Sequence, residues 1–134
     1  GNWIPNAPTS FVSQLLKIST ALAPPPPEGF ISPMLWGVEA HITDRFAQAG
    51  VSSDRITMER DTYYFVSPSM TPSEVVQTFS QFYGPTMNAF EAAQKDGKVD
   101  ALREQLVALA EAQNTNTDGS TSIPATFMRV TVQL

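Results

Sequence analysis

The stretch Arg55–Val66, RITMERDTYYFV, decides how the chain is read. It is dense in Thr, Tyr, Ile and Val, whose branched or aromatic side chains suit a pleated surface, so the spacing predicts a strand. Alternation puts Ile56, Met58, Arg60, Thr62, Tyr64 and Val66 on one face. Thr57, Glu59, Asp61, Tyr63 and Phe65 fall on the other. Neither face is uniformly apolar, which predicts a sheet whose faces change character along the strand. The carboxylates of Glu59 and Asp61 flank Arg60, and such a cluster serves cross-strand ion pairing or, less commonly, acid–base chemistry.

Working outward, the most legible helix start follows the strand. Thr71-Pro72-Ser73-Glu74 is a capping box with proline at the first helical position. Val75, Val76, Phe79, Phe82 and Tyr83 form the expected buried face, and Gly84-Pro85 breaks the helix. A fourth helix is expected over Thr86–Gln94 with Met87 and Phe90 inward, and a fifth over Val99–Gln113. The fifth carries Val99, Leu102, Leu106 and Leu109 on one stripe. Asn114–Ser122 reads as a flexible polar loop, and Phe127–Leu134 as a closing strand. Upstream, Phe11, Leu15, Ile18 and Leu22 recur at helical spacing and predict a first helix over Ser10–Leu22. Four prolines, Pro24–Pro27, then stop it, because each lacks an N–H and has its φ fixed. A second helix is expected to start at Ser32-Pro33 and end at Gly50, with Val38, Ile42 and Phe46 on one face. Gly37 is the weak point of its first turn.

The pattern is α+β, mostly helical, with about five helices and two long antiparallel strands in a single domain, 1–134. Two strands make a poor sheet unless helices cover them or they belong to a larger sheet. The net charge of −5 and the scattered basic residues exclude a nucleic-acid surface. With no cysteine, disulfides and thiolate metal sites are excluded, and a single histidine, His41, leaves no histidine cluster for a metal. The longest apolar runs are a few residues, so no membrane contact is expected and the cytoplasm is the default location. His41 lies near Glu39 and Asp44 on the second helix, as a solvated helix histidine or as a weak catalytic pair. The aromatic residues Trp3, Trp36, Tyr63, Tyr64, Phe79, Phe82 and Tyr83 either fill the core or line a pocket for an apolar ligand.

Several segments, taken in order, resemble one family. They are Asn2–Pro5 (NWIP), Ala23–Gly29 (APPPPEG), Ser32–Phe46 (SPMLWGVEAHITDRF), Ser69–Val76, Phe82–Phe90 (FYGPTMNAF), the end of the leucine helix at Asn114, and the final strand. Together they resemble the C-terminal half of bacterial class I S-adenosylmethionine-dependent methyltransferases of the broad UbiE-like group. The resemblance implies that the chain starts at the end of that family's fifth strand. RITMERDTYYFV and FMRVTVQL are then its last two strands, an antiparallel pair at the sheet edge. It implies a candidate acceptor-substrate site at Asn2, Trp3, Pro5, Trp36 and Tyr83, with no catalytic residue assigned. The family holds its cofactor with a glycine-rich loop and an acidic residue, and this chain has neither. S-adenosylmethionine is therefore expected to belong to the parent enzyme, bound by an upstream half that is absent, as the methionine-free start also suggests. The expected partners are that N-terminal half and a small-molecule acceptor. The isolated chain is expected to be inactive and to form a homo-oligomer through unpaired strand edges. The alternative is a free-standing ligand-binding or protein-interaction domain.

Overall fold

The computed structural model describes residues 1–22 and 25–134. The start of the proline run, Ala23-Pro24, lies outside the described residues. Among the described residues, three strands and five α-helices occur: β1 (Asn2–Trp3), α1 (Phe11–Thr20), α2 (Glu39–Gln48), β2 (Ile56–Ser67), α3 (Pro72–Phe82), α4 (Gly84–Lys95), α5 (Val99–Gln113) and β3 (Thr121–Val132). The fold is α+β, as the pattern predicts. The sheet, however, has three strands rather than two, in the order β1-β3-β2, with β3 antiparallel to both neighbours. The third strand is a stub of two residues, too short for alternation to reveal.

The long ribbon pairs β2 with β3 from Ile56↔Val132 to Ser67↔Thr121 without a break. β3 begins at Thr121, six residues before the expected Phe127. The cause of the difference is Pro124, which reads as a strand breaker. Thr126 N–H donates to the Thr9 carbonyl and Ser122 N–H to Asn114 Oδ1. Both point away from β2, and the alternation of a strand turns the Pro124 nitrogen the same way. The ladder to β2 therefore loses no donor, and proline is tolerated there.

Register explains the changing faces of β2. Phe65 opposes Ile123 and Tyr63 opposes Ala125, on the face that packs against α1 and the α3–α5 helices. The main core lies here, built on Phe11, Leu15, Val76, Leu102, Leu106 and Ile123. Further along the same face the pairs turn polar, and Arg129 Nη2 lies 2.8 Å from Glu59 Oε2. Arg129 Nε lies 3.9 Å from Asp61 Oδ2, so the charged cluster is a cross-strand ion-pair set. On the opposite face and at the opposite end, Met128, Val130, Ile56 and Met58 pack under α2 with Ile4 and Ile42. One ribbon is thus covered on alternate faces at its two ends.

The helices depart from expectation where proline and glycine act. The expected second helix is two pieces: a 3-10 turn over Pro33–Gly37, capped by Ser32, and α2 from Glu39, separated by extended Val38. Gly37 is the reason. A Cβ there would run into the Trp3 carbonyl group, so only glycine lets this turn seat against β1. The Thr71 capping box forms as predicted, with Thr71 N–H donating to Glu74 Oε2 at 2.8 Å and Glu74 N–H to Thr71 Oγ1 at 3.3 Å. Gly84-Pro85 ends α3 and also opens α4, leaving Tyr83 alone between them. Inside α4 the buried residues are Thr86, Ala89 and Ala93; Met87 is exposed and Phe90 half-buried. Phe82, expected inward, is 78% exposed.

The polar loop after α5 is held by one side chain. Asn114 Nδ2 donates to the carbonyls of Asn116 and Ser120, and its Oδ1 accepts from Asn116 N–H and Ser122 N–H. Asp118 accepts from the Ser120 hydroxyl and from Ser120 N–H, which tightens the turn further and keeps its carboxyl below the usual range. The segment expected to be flexible is therefore tied by hydrogen bonds at both of its ends.

Candidate functional site

Aromatic residues from four elements converge where β1 meets α3. Phe127, Trp3, Phe65, Phe79 and Tyr83 form a run of neighbouring rings with centroids 5.4–6.2 Å apart. Most contacts are edge-to-face, the arrangement that aligns a ring's positive rim with its neighbour's negative face. Local chemistry puts each one there. β1 delivers Trp3, the alternation of β2 delivers Phe65, helical spacing on α3 delivers Phe79, and the break before Gly84 fixes Tyr83.

Among the hollows that border this run, two are lined by both Trp3 and Tyr83. The first, about 330 Å³, lies between Trp3, Val12, Phe65, Phe79 and Tyr83, with exposed Phe82 at its rim. The second, about 490 Å³, lies between Asn2, Trp3, Leu16, Phe30, Met34 and Tyr83. Trp3 and Tyr83 line both and form a shared wall. No charged side chain lines either hollow among the described residues. The polar groups at the second are the Gly1 amino group, the Asn2 amide, the Trp3 indole N–H and the hydroxyls of Ser32, Thr20 and Tyr83. Thr20 spends its hydroxyl on the Leu16 carbonyl, and Ser32 already accepts from Met34 N–H. Burial pushes the Tyr83 hydroxyl above its ordinary value, so it remains a neutral phenol at physiological pH.

Of the five residues that the sequence singles out, three come together: Asn2, Trp3 and Tyr83 line the second hollow. Trp36 does not join them. It packs edge-to-face on Phe46 at 6.1 Å, under the Arg45 guanidinium, within the smaller cluster beneath α2. Pro5 sits half-buried in the turn after β1 and lines neither hollow. Sequence reasoning missed Leu16, Phe30 and Met34. Leu16 reads as an ordinary helix residue, and Phe30 and Met34 sit in segments without periodicity. His41 is exposed on α2, away from both hollows.

The residues present do not build a cradle for S-adenosylmethionine. The glycines at positive φ (Gly29, Gly50, Gly97 and Gly119) are single turn residues that face open space, with no neighbouring group close enough to meet a side chain there. None forms the glycine-rich strand-to-helix loop that such a cofactor needs. No cluster of metal-binding side chains occurs among the described residues. No helix among them is long and apolar enough to cross a membrane. Comparison with protein-family models, curated proteins and solved structures finds no match to this chain.

Proposed function

We propose that this chain is the acceptor-substrate side of a class I S-adenosylmethionine-dependent methyltransferase that methylates a small molecule. The observation that carries the reading is the position of β1 in the sheet. The resemblance makes Asn2–Pro5 the end of a fifth strand and β2 and β3 the last two strands. β1 pairs with β3 on the side opposite β2 and runs parallel to β2. A preceding parallel sheet would continue from that side, with β2 and β3 left as its antiparallel edge pair. The first hollow takes in Phe65, toward the carboxyl end of β2, the side on which open α/β sheets bind ligands.

In this reading Trp3 and Tyr83 position the acceptor, and Asn2 and Ser32 orient a polar group on it. The cofactor is held by an N-terminal half, and the chain by itself is inactive. No general base is required of these residues, because placing an acceptor in line with an already reactive sulfonium supplies much of the rate. The proposed setting is cytoplasmic, without nucleic acid or membrane. The outer edge of β2 lacks a strand partner among the described residues, which supports self-association of the isolated chain. A clean monomer by light scattering at high concentration would refute that part.

The test is to express the complete reading frame that contains these residues and assay methyl transfer to a panel of uncharged aromatic acceptors. Methylation that falls at least tenfold in Tyr83→Ala, with S-adenosylmethionine affinity unchanged, supports the proposal. A reading frame without an upstream glycine-rich cofactor motif, or one that starts natively near Asn2, overturns it. That outcome favours a second reading, a free-standing ligand-binding domain, which draws support from the apolar, aromatic lining of the two hollows.

A further inference from the structure

The two hollows differ from a generic surface groove in what their linings lack. Together they draw on β1, α1, β2, α3 and the segment leading into the 3-10 turn, yet no charged side chain is contributed among the described residues. The chain is 16% charged, and Lys17 lies one residue from Leu16, so charge is near at hand but turned elsewhere. Each volume falls in the range that holds a small organic molecule. An ionised group placed in such a lining loses its hydration and gains no side-chain counter-charge, so it is disfavoured; the one charged group there is the Gly1 amino terminus, at the second hollow. A flat uncharged ring loses little and gains the aromatic wall.

The polar groups are also unevenly distributed. In the first hollow the only polar side-chain groups among the described residues are the Thr78 hydroxyl and, at the shared wall, the Trp3 indole N–H and the Tyr83 phenol. Thr78 already donates to the Glu74 carbonyl. In the second, the Asn2 amide and Ser32 hydroxyl share the lining with Leu16 and Phe30. The site is therefore almost wholly apolar on one side of the Trp3–Tyr83 wall and sparsely polar on the other.

We propose that this site selects an uncharged, elongated aromatic molecule. Its ring lies against the Trp3–Tyr83 wall, its apolar end sits among Val12, Phe65 and Phe79, and a hydroxyl or carbonyl faces Asn2 and Ser32. The proposal names the acceptor class for the methyl-transfer function and rests on that reading only for the role of acceptor. Selection itself is a property of this chain and is measured without methyl transfer.

The chain has two tryptophans, Trp3 at the site and Trp36 on the other face, so the two indole N–H resonances serve as reporter and internal control. Trp36→Phe assigns them. Titration with 2-naphthol, neutral at pH 7, is expected to shift the Trp3 resonance saturably and leave Trp36 in place. The anionic isostere 2-naphthoate, titrated against the N-terminally acetylated chain so that Gly1 supplies no counter-charge, is expected to bind at least tenfold more weakly. Thr78→Phe, which narrows the first hollow from its exposed rim, and Met34→Phe, which narrows the second, are each expected to weaken 2-naphthol at least fivefold. Both variants should keep the parent's amide spectrum outside the site. An unshifted Trp3 resonance, equal affinity for the two probes, or equal shifts at both tryptophans would overturn the proposal. Saturable binding of 2-naphthol, together with a full reading frame that shows no methyl transfer, overturns the methyltransferase reading alone.

Discussion

The two ends of the β2–β3 ribbon are covered on opposite faces by unequal amounts of structure, and each holds one tryptophan. At the Ser67 end, α1 and α3–α5 bury a core of eleven residues, with Trp3 at its margin. At the Ile56 end, α2 and the 3-10 turn cover four buried residues, with Trp36 at their margin. The thick end has room for hollows because several helices meet there. The thin end is one helix laid on a strand pair, and its aromatic residues close on one another. Both tryptophans look alike as candidates for a site, but only the one whose surroundings leave space joins it.

The comparison is tested most severely by emptying each core. Leu106→Ala at the thick end and Ile42→Ala at the thin end remove fully buried side chains. Leu106→Ala is expected to destabilise the whole fold by about 4 kcal/mol in urea titrations, near the upper part of the range for such changes. Ile42→Ala is expected to cost about 2–3 kcal/mol. Its hydrogen exchange should quicken in α2 while α5 stays protected, since locally supported units open separately. Matching protection patterns in the two variants would show that the ends form one cooperative unit.

Gly37→Ala attacks the junction between the two ends. The added methyl meets the Trp3 carbonyl, and something must shift. A loss of about 3 kcal/mol is expected, at the high end for overpacking, together with a displaced Trp3 indole resonance. An unperturbed Trp3 signal would contradict the close approach. Asn114→Ala comes next, at about 2 kcal/mol, because the side chain satisfies four backbone groups around the loop into β3. Proteolysis should then cut within Asn114–Ser122, and a loop that stays resistant would argue that the tie is dispensable.

Smaller effects attend the surface. Thr71→Ala removes the α3 cap and is expected to cost about 1 kcal/mol by thermal or urea unfolding. Glu74 belongs to the same cap. Hydrogen bonds from the Thr71 N–H and hydroxyl hold its carboxyl below the ordinary value. A carboxylate with a depressed folded pKa contributes stability above its unfolded pKa and loses it as pH falls through the folded value. The stability gap between the parent and Glu74→Gln is therefore present at neutral pH and closes on acidification through the carboxylate range. A gap that widens toward acid would reverse the sign and refute the cap. Arg129→Ala, in a half-exposed ion-pair set, should change stability by no more than about 1 kcal/mol, and less at high salt.

Much of the fold is legible in the sequence because its signals are local. The capping box at Thr71 needs only residues that lie three positions apart. The stripe of Leu102 and Leu106 needs only the helical repeat, and both are fully buried. The mixed faces of RITMERDTYYFV are visible from alternation, and the ion pairs to Arg129 follow from charge placed mid-strand. Other features were hidden because their cause lies far away in sequence. Pro124 reads as a breaker until the direction of its missing N–H is known, and that direction depends on Thr9, Asn114 and Thr126. Gly37 reads as a weak helix residue until the Trp3 carbonyl is brought against it. Phe82 reads as core because helical spacing cannot tell the buried edge of a stripe from the exposed one.

The sequence by itself determined the long strand β2, the helices α1 and α3–α5, the α+β class and the presence of surplus aromatic side chains, because these follow from short-range sterics and periodic burial. Only the tertiary structure decided that Trp3 and Tyr83 share a wall while Trp36 turns to the opposite face. That choice depends on which side of β3 each segment joins and on how many helices meet there, and both are long-range packing outcomes that no local pattern encodes.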